Sequence, residues 1–331
     1  MPAIAPETLV AAITNAISDS GYTANLISSR RRHPRRFIVA GQNVNFTLDV
    51  YAWTLTFGGR PALANEYRIQ MTSVQSPLQV GTDGPTVLIG YEPSLNLFAG
   101  FDLRRHRTFT AGSPSVQIDR QALRRAEVEG LSFHRKGNDE IAIGVRSDMF
   151  MAYVMNANIL HRYGREANVL RLLTRAVHQE PLRERELVDL THERQRVVTD
   201  VARWSRAAGF KQRVLFAYGN RCAITRVQLR LVDAAHILPV GAPGSVDHVR
   251  NGIALSPTYH RAFDAGLIYL DEECRMKINE GQLHALEALQ LAGGVESFRE
   301  PLGPIFLPPD ANQRPQIDFI RRANVLRQIP Q

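Results

Sequence analysis

The stretch Val232–Gly266 reads VDAAHILPVGAPGSVDHVRNGIALSPTYHRAFDAG, and its pattern predicts three consecutive elements of secondary structure. The apolar runs VDAAHIL and GIAL predict two short strands, separated by a loop that begins at Pro239 and is rich in Gly and Pro. Pro257 suits the first turn of a helix that extends to Phe263, with Ser256 as a candidate cap. The expected local structure is therefore strand, loop, strand and helix.

Each of these elements offers one polar side chain. His236 lies in AAHILP, Asn251 in NGIAL and His260 in YHRAFDAG, so the spacings are fifteen and nine positions. In this order the blocks resemble the motifs A-A-H-I-x-P, N-G-[apolar]-x-L and H-x-x-F-D-x-G of the HNH, or ββα-metal, nuclease family. The resemblance covers roughly residues 212–275, and it implies that this part of the chain hydrolyses phosphodiester bonds.

The resemblance also implies a role for each motif residue. His236 would be the general base that deprotonates water, a task that suits a neutral imidazole at pH 7. Asn251 would hold the loop between the strands and orient the histidine through amide hydrogen bonds. His260 would bind one divalent ion, Mg²⁺ or Mn²⁺, which stabilises charge on the leaving oxygen. The expected products have 5′-phosphate and 3′-hydroxyl ends.

One position departs from the family pattern. Ala235 stands directly before the expected base, where many members of the family carry Asp, Glu or His as a second metal ligand. Asp233 is the nearest carboxylate and is the candidate replacement. Asp264 is interpreted as a structural residue that ties the helix to the following turn, with a ligand role left open. Asp247 and His248, in the loop, are interpreted as surface residues.

The charge of the chain points to a polyanionic partner. Its 331 residues carry a net charge of +8, from 40 basic and 32 acidic side chains, and all but three of the basic ones are arginine. Arginine suits bidentate contacts with phosphate and guanine. Residues 201–250 alone carry eight basic and two acidic side chains and run into the HNH-like motif, so we expect double-stranded DNA as the substrate. The candidate phosphate contacts near the motif are Arg213, Arg221, Arg226, Arg230, Arg250 and Arg261, of which Arg250 and Arg261 are closest to the catalytic positions.

A second basic cluster lies in the segment SRRRHPRRF near the N-terminus. Five arginines within seven residues repel one another unless an anion lies among them. We therefore expect this segment to contact nucleic acid as a loop or arm. The arginines concerned are Arg30, Arg31, Arg32, Arg35 and Arg36.

Several classes of protein do not fit the sequence. No apolar run approaches the ~18 residues of a membrane span, and the first residues lack the positive region of a signal peptide. The two cysteines, Cys222 and Cys274, cannot build a disulfide scaffold or a four-cysteine zinc site. Thr225 stands where a zinc knuckle would have its second cysteine, so Cys222 is expected to be buried and no structural zinc is predicted. These features favour a soluble, cytoplasmic bacterial protein.

Upstream of the motif the pattern is that of an α+β fold. A helix is predicted from Pro6, and alternating apolar residues predict strands over about 37–120, with TVLIGY and LNLFAGFD as a hairpin. Helical spacing over 165–210, interrupted by Pro181, predicts two helices. The predicted organisation is a strand-rich, mainly antiparallel α+β domain over 1–160, a helical connector over 161–210, and an HNH domain with a C-terminal helical extension over 211–331.

These features favour a metal-dependent DNA endonuclease of restriction or defence type, in which residues 1–160 select the target. A strand-rich module with a basic loop suits recognition of a modified base or a sequence, as in barrel-like PUA and SRA domains. One alternative is an effector nuclease that a small nucleotide signal releases. Another is an inactive HNH fold kept for DNA binding, which Ala235 makes conceivable. Cutting both strands with a one-metal site requires two active sites, which suggests a homodimer.

Overall fold

The computed structural model describes residues 4–41, 44–58, 65–110, 112 and 114–329. The chain divides into two compact units, Met1–Ala208 and Gly209–Gln331, called below the N-terminal and C-terminal units. The predicted α+β class is confirmed, with a strand-rich sheet and helices before the HNH-like segment. No helix within the described ranges is long and apolar enough to cross a membrane.

A mixed sheet forms the centre of the N-terminal unit. Its described strands are β1 (Thr23–Leu26), β2 (Arg35–Gly41), β3 (Val44–Thr54), β6 (Thr86–Glu92), β7 (Leu97–Phe101), β9 (Leu131–Arg135) and β10 (Ile141–Arg146), in the spatial order β1-β2-β3-β6-β7-β10-β9. Neighbours pair antiparallel except β3 and β6, which are parallel, with Val50 opposite Val87. The predicted mainly antiparallel pairing is therefore confirmed, and the parallel pair is possible because a long connection between β3 and β6 lets the chain return in the same direction.

Each face of this sheet packs into its own hydrophobic core. Along β3, Val50 and Ala52 enter one core, and Tyr51 and Trp53 enter the other. A small sheet lies at the second core, made of β4 (Thr56–Phe57), β5 (Glu66–Gln70) and β8 (Ser115–Asp119). The helices of the unit are α1 (Pro6–Asp19), α2 (Leu103–His106), α3 (Arg120–Glu129), α4 (Phe150–Tyr163), α5 (Ala167–Val177) and α6 (Glu184–Val188), followed by α7 (His192–Ala217).

The segment predicted to connect two domains packs inside the N-terminal unit instead. Val169 and Leu172 of α5 and Val198 of α7 are buried in the same core as the large sheet. The segment forms three helices rather than two, because the chain leaves the helical conformation again between Val188 and His192. The division between the units falls within α7, at Ala208 and Gly209.

The C-terminal unit contains the predicted succession of strand, loop, strand and helix. These elements are β11 (Asp233–His236), β12 (Gly252–Leu255) and α8 (Pro257–Asp264), and β11 pairs antiparallel with β12 so that His236 lies opposite Gly252. Helix α8 packs against both strands. The remaining elements are β13 (Ile268–Leu270), β14 (Arg275–Ile278), α9 (Glu280–Ala288), α10 (Val295–Arg299), β15 (Gly303–Pro304) and α11 (Ile317–Leu326).

Gly252 allows α7 to approach the two strands closely. A Cβ atom at this position would lie 2.2 Å from Cγ2 of Val214 and 3.0 Å from Cζ of Phe210. The first distance is far too short for two carbon atoms and the second is tight, so a larger residue would displace the Val214 side chain of α7 from β12. The glycine thus lets Phe210 reach the end of β11, where His236 lies.

Candidate active site

His236 lies at the end of β11 with its imidazole fixed on two sides. Its Nε2 is 2.8 Å from Oδ1 of Asp247, and its ring stacks on Phe210 with centroids 3.8 Å apart and planes 12° from parallel. An ionised carboxylate can only accept a hydrogen bond, so Nε2 carries the proton and Nδ1 keeps its lone pair in the neutral ring. No hydrogen bond to Nδ1 is recorded within the described ranges, which leaves this nitrogen ready to take a proton.

Asp247 is a residue of the candidate site that sequence reasoning missed. Its interpretation as a surface residue is wrong, because its side chain is only 33% exposed and bonds to His236. The backbone carbonyl of Asp247 also accepts a hydrogen bond from Nη2 of Arg213, at 2.9 Å. Hydrophobic periodicity does not identify functional residues within a loop. The signal that could have identified Asp247 was the position of a carboxylate four residues before Asn251.

Asn251 fastens the loop between the two strands. The side chain is fully buried, and its Oδ1 accepts a hydrogen bond from the backbone N–H of Leu238 at 2.8 Å. Its Nδ2 donates to the carbonyls of Leu238 and Val246, both at 3.1 Å, and to Oγ of Ser245 at 3.3 Å. One amide thus closes the loop that carries Asp247 back onto the strand that carries His236.

His260 and Asp264 lie one helical turn apart on α8. Nε2 of His260 is 3.3 Å from Oδ2 of Asp264, as expected for side chains four positions apart in a helix. The histidine side chain is 27% exposed and the carboxylate 62%. Ser256 occupies the cap position, but it caps through its backbone carbonyl, which accepts from the N–H of His260.

Asp233 lies apart from these groups. Side chains three positions apart on a strand project to opposite faces, so Asp233 and His236 point away from each other. Oδ1 of Asp233 is 3.3 Å from Nζ of Lys211. The structure therefore favours Asp264 over Asp233 as the carboxylate that accompanies His260.

Of the arginines nearest the motif, Arg250 is half-buried and Arg261 is exposed on α8 beside His260. Arg250 lines an open cavity of about 600 Å³. The other residues around this cavity are Val246, Asp247, His248, Gln316 and Phe319. The cavity therefore adjoins the carboxylate that holds the His236 imidazole, and Nε of Arg250 is buried there without a recorded partner.

Two of the five N-terminal arginines hold their own segment in place. Arg35 is 4% exposed, and its side chain donates to the carbonyls of Arg30 at 2.9 Å and Ala52 at 3.0 Å. Its burial lowers the pKa of the guanidinium. Arg36 forms a bidentate pair with Asp49, at 2.8 and 2.9 Å. Both residues belong to β2, so they are less suited to contact DNA than the sequence alone indicated.

The other three arginines of this cluster, Arg30, Arg31 and Arg32, are exposed. Within the described ranges no ion pair is recorded for any of them. The following residue, His33, stacks on Trp53 with centroids 4.2 Å apart. Burial and the neighbouring positive charge lower the pKa of His33 to about 3, so its ring is neutral at pH 7. The three exposed arginines are called below the arginine loop. Arg35 holds the start of this loop through the carbonyl of Arg30, and the stacked ring of His33 holds its end.

Comparisons with known proteins give two family matches and one similar solved structure. Residues 222–271 match the model of the HNH endonuclease family, and residues 46–154 match the model of a family described as methylase-associated X1. A solved structure described as a modification-dependent TagI restriction endonuclease is 15% identical, over 85% of this chain and 81% of that chain, with a TM-score of 0.31. The comparison with curated proteins gives no match.

The segment that matches the HNH model contains β11, the loop, β12 and α8. It therefore includes the three motif residues His236, Asn251 and His260. It is also where the structure places the oriented imidazole and the helix that carries His260. The C-terminal part of this chain is therefore an HNH endonuclease domain, and the chain is a nuclease.

Proposed function

We propose that this nuclease is a metal-dependent restriction endonuclease that cleaves double-stranded DNA, with the N-terminal unit selecting the target. The observation that supports catalysis most strongly is the His236 imidazole, held by Asp247 and Phe210 with Nδ1 left as the basic nitrogen. This arrangement argues against an inactive HNH fold, because a protein that only binds DNA gains nothing from an oriented base.

In the proposed reaction Nδ1 of His236 removes a proton from the water that attacks phosphorus. The ring then becomes an imidazolium, and the Asp247 carboxylate at 2.8 Å stabilises the positive charge. The bond between phosphorus and the 3′-oxygen breaks, and the leaving oxygen takes a proton from solvent to become the 3′-hydroxyl. Phe210 prevents the ring from turning out of the productive orientation, since a rotation would break the stack. Asn251 acts on the reaction indirectly, through the loop that carries Asp247.

The donors His260 and Asp264 suit a divalent ion that also binds substrate. One imidazole nitrogen and one carboxylate oxygen lie 3.3 Å apart on an exposed helix face. Mg²⁺ commonly keeps several waters and binds through one or two carboxylates plus phosphate oxygens, so two protein donors are sufficient. No cluster of three or more His, Cys, Asp or Glu side chains that could hold a metal ion is found among the described residues. When bound, the ion would stabilise the negative charge of the transition state.

Target selection is proposed for the N-terminal unit. Residues 46–154 match a family described as methylase-associated, which supports a functional link between this unit and a methylase. The arginine loop belongs to the same unit and offers three exposed guanidinium groups to phosphates. We propose that this unit distinguishes DNA by its modification or its sequence.

The test is cleavage of three forms of one plasmid, unmodified, cytosine-methylated and hydroxymethylated, with Mg²⁺ or Mn²⁺. We expect one form to be cut preferentially and at defined sites. Equal cutting of all three forms at random sites would refute target selection by the N-terminal unit. Absence of cutting on every DNA, with each metal and with or without added nucleotides, would refute the proposed metal-dependent cleavage of double-stranded DNA. The ratio of linear to nicked product, compared with the mass of the protein in solution, tests the proposed homodimer.

The role of Asp247 can be tested with the near-isosteric Asp247→Asn variant. We expect the rate of cleavage to fall by at least about ten- to a hundredfold, because a neutral amide no longer fixes the tautomer with its proton on Nε2 and no longer stabilises the imidazolium. The measurement is single-turnover cleavage of plasmid at saturating metal ion, with DNA binding measured separately.

A matched control is Asp271→Asn, which removes a carboxylate that pairs with Lys277 in the same unit. This variant should cut DNA at the rate of the unchanged protein. If Asp247→Asn also cut at that rate, the hydrogen bond between Asp247 and His236 would have no role in catalysis.

The arginine loop predicts a salt effect on DNA binding. Changing Arg30, Arg31 and Arg32 to Gln should reduce the slope of log Kd against log salt by about 2 to 3, because each phosphate contact contributes about 0.9. Binding is measured without divalent ions to prevent cleavage. A control triple removes three exposed arginines elsewhere in the unit, Arg124, Arg125 and Arg171. Equal slopes for the two triples would contradict a specific role of the arginine loop.

A further inference from the structure

Arg327 lies just beyond α11, outside the segment that matches the HNH family model. Its Nη1 donates a hydrogen bond to the backbone carbonyl of Ile237 at 3.1 Å. The same guanidinium lies over the ring of Phe263, 4.3 Å from the centroid. Ile237 directly follows His236 and Phe263 directly precedes Asp264, so one side chain contacts both halves of the candidate active site.

The surroundings of this guanidinium are largely apolar. Burial lowers the pKa of Arg327, and the negative charge of Asp264 acts in the opposite direction. Removing a cation from water is costly unless its environment compensates. Here a carbonyl and an aromatic face provide part of that compensation, which a planar guanidinium can use and an ammonium cannot use equally well.

The helix that precedes Arg327 is itself fixed to the nuclease core. Phe319, Ile320 and Ala323 of α11 are buried in the hydrophobic core of the C-terminal unit. Nδ2 of Asn324 donates to the carbonyl of Leu270 at 2.9 Å. Arg327 therefore reaches β11 and α8 from a rigid support, which a mobile tail would not provide.

We propose that Arg327 is a positioning residue that sets the placement of the His236 strand relative to the helix carrying His260 and Asp264. The inference depends on the proposed function, since the two halves matter together only if they act on one phosphodiester. In-line attack requires the base and the ion to be placed within a fraction of an ångström, and a misplacement of about 1 Å costs on the order of a hundredfold in rate. A side chain that contacts both halves is well placed to hold this distance.

The test compares Arg327→Met and Arg327→Lys with the control Arg321→Met. Arg321 lies on the same helix but pairs with exposed Glu272 instead, at 2.9 and 2.7 Å. We expect kcat of Arg327→Met to fall by about ten- to a hundredfold with KM for DNA unchanged. Arg327→Lys should recover part of the loss, and Arg321→Met should behave as the unchanged protein. Mn²⁺ binding measured by calorimetry should be retained, because both proposed ligands stay on α8.

A second measurement does not depend on activity. In protein labelled with ¹⁵N-histidine, the ring signals of His236 and His260 should shift in Arg327→Met and stay in place in Arg321→Met. Wild-type kcat for both Arg327 variants below their melting temperatures would overturn the inference. If Arg327→Met lost Mn²⁺ affinity by the same factor as it lost kcat, the inference would also be overturned, since Arg327 would then act on the ion site alone. If Arg327→Met does not fold, the kcat and ring signals of Arg327→Lys decide. An unchanged protein that cuts no DNA would overturn the proposed function, while the ring signals would still test the placement.

Discussion

Replacing His236 by alanine is expected to lower the rate of metal-dependent DNA cleavage by about 10²- to 10⁴-fold, the range that general-base catalysis contributes. The ring is the group that Asp247 and Phe210 hold with Nδ1 unprotonated. Without it, water must lose its proton to bulk solvent, and the carboxylate of Asp247 loses the cation that it would stabilise. The measurement is single-turnover cleavage of supercoiled plasmid at saturating Mg²⁺.

The control for this variant is His284→Ala, which removes an exposed histidine from α9 in the same unit. It should cut at the unchanged rate. DNA binding by His236→Ala should also be unchanged, because the side chain is only 17% exposed and offers little surface to phosphates. Equal cleavage by His236→Ala and the unchanged protein would refute the assignment of the base.

The local fold of the nuclease segment could be predicted from sequence because it is encoded in neighbouring residues. Apolar runs gave β11 and β12, and Pro257 marked the start of α8. The groups that complete the site could not be predicted in this way. Phe210 and Arg327 reach His236 and its neighbour from 26 and 90 positions away along the chain. Such contacts depend on tertiary packing, which a single sequence does not display.

The N-terminal unit shows the same limit. Alternation predicted strands over about 37–120, but the parallel pairing of β3 with β6 depends on a crossover that alternation does not report. Likewise, five clustered arginines looked equivalent in the sequence. Arg35 is buried and Arg36 is paired with Asp49, because both lie in a strand of the sheet. The cluster therefore contains two structural residues and three exposed ones.

Removing the proposed ion-binding groups on α8, His260 and Asp264, should also lower the rate of DNA cleavage strongly. His260→Ala is expected to lower cleavage by about a thousandfold, because a divalent ion contributes several kcal/mol to charge stabilisation and each 1.36 kcal/mol is tenfold in rate. Asp264→Asn should act more weakly, raising the Mn²⁺ concentration for half-maximal cleavage by about ten- to a hundredfold, since one imidazole ligand remains. The measurement is cleavage rate against Mn²⁺ concentration, with Mn²⁺ binding followed separately by calorimetry.

Asp233→Asn is the decisive comparison, because the sequence pointed to Asp233 and the structure points to Asp264 as the carboxylate near the ion. Asp233 projects away from His236 and lies 3.3 Å from Lys211, so its change should leave the Mn²⁺ requirement as it is. Asp264 lies 3.3 Å from the His260 imidazole, the proposed ligand. If Asp233→Asn raised the Mn²⁺ requirement and Asp264→Asn did not, the ion would bind beside β11, and the donor pair on α8 would be a helix-stabilising contact only.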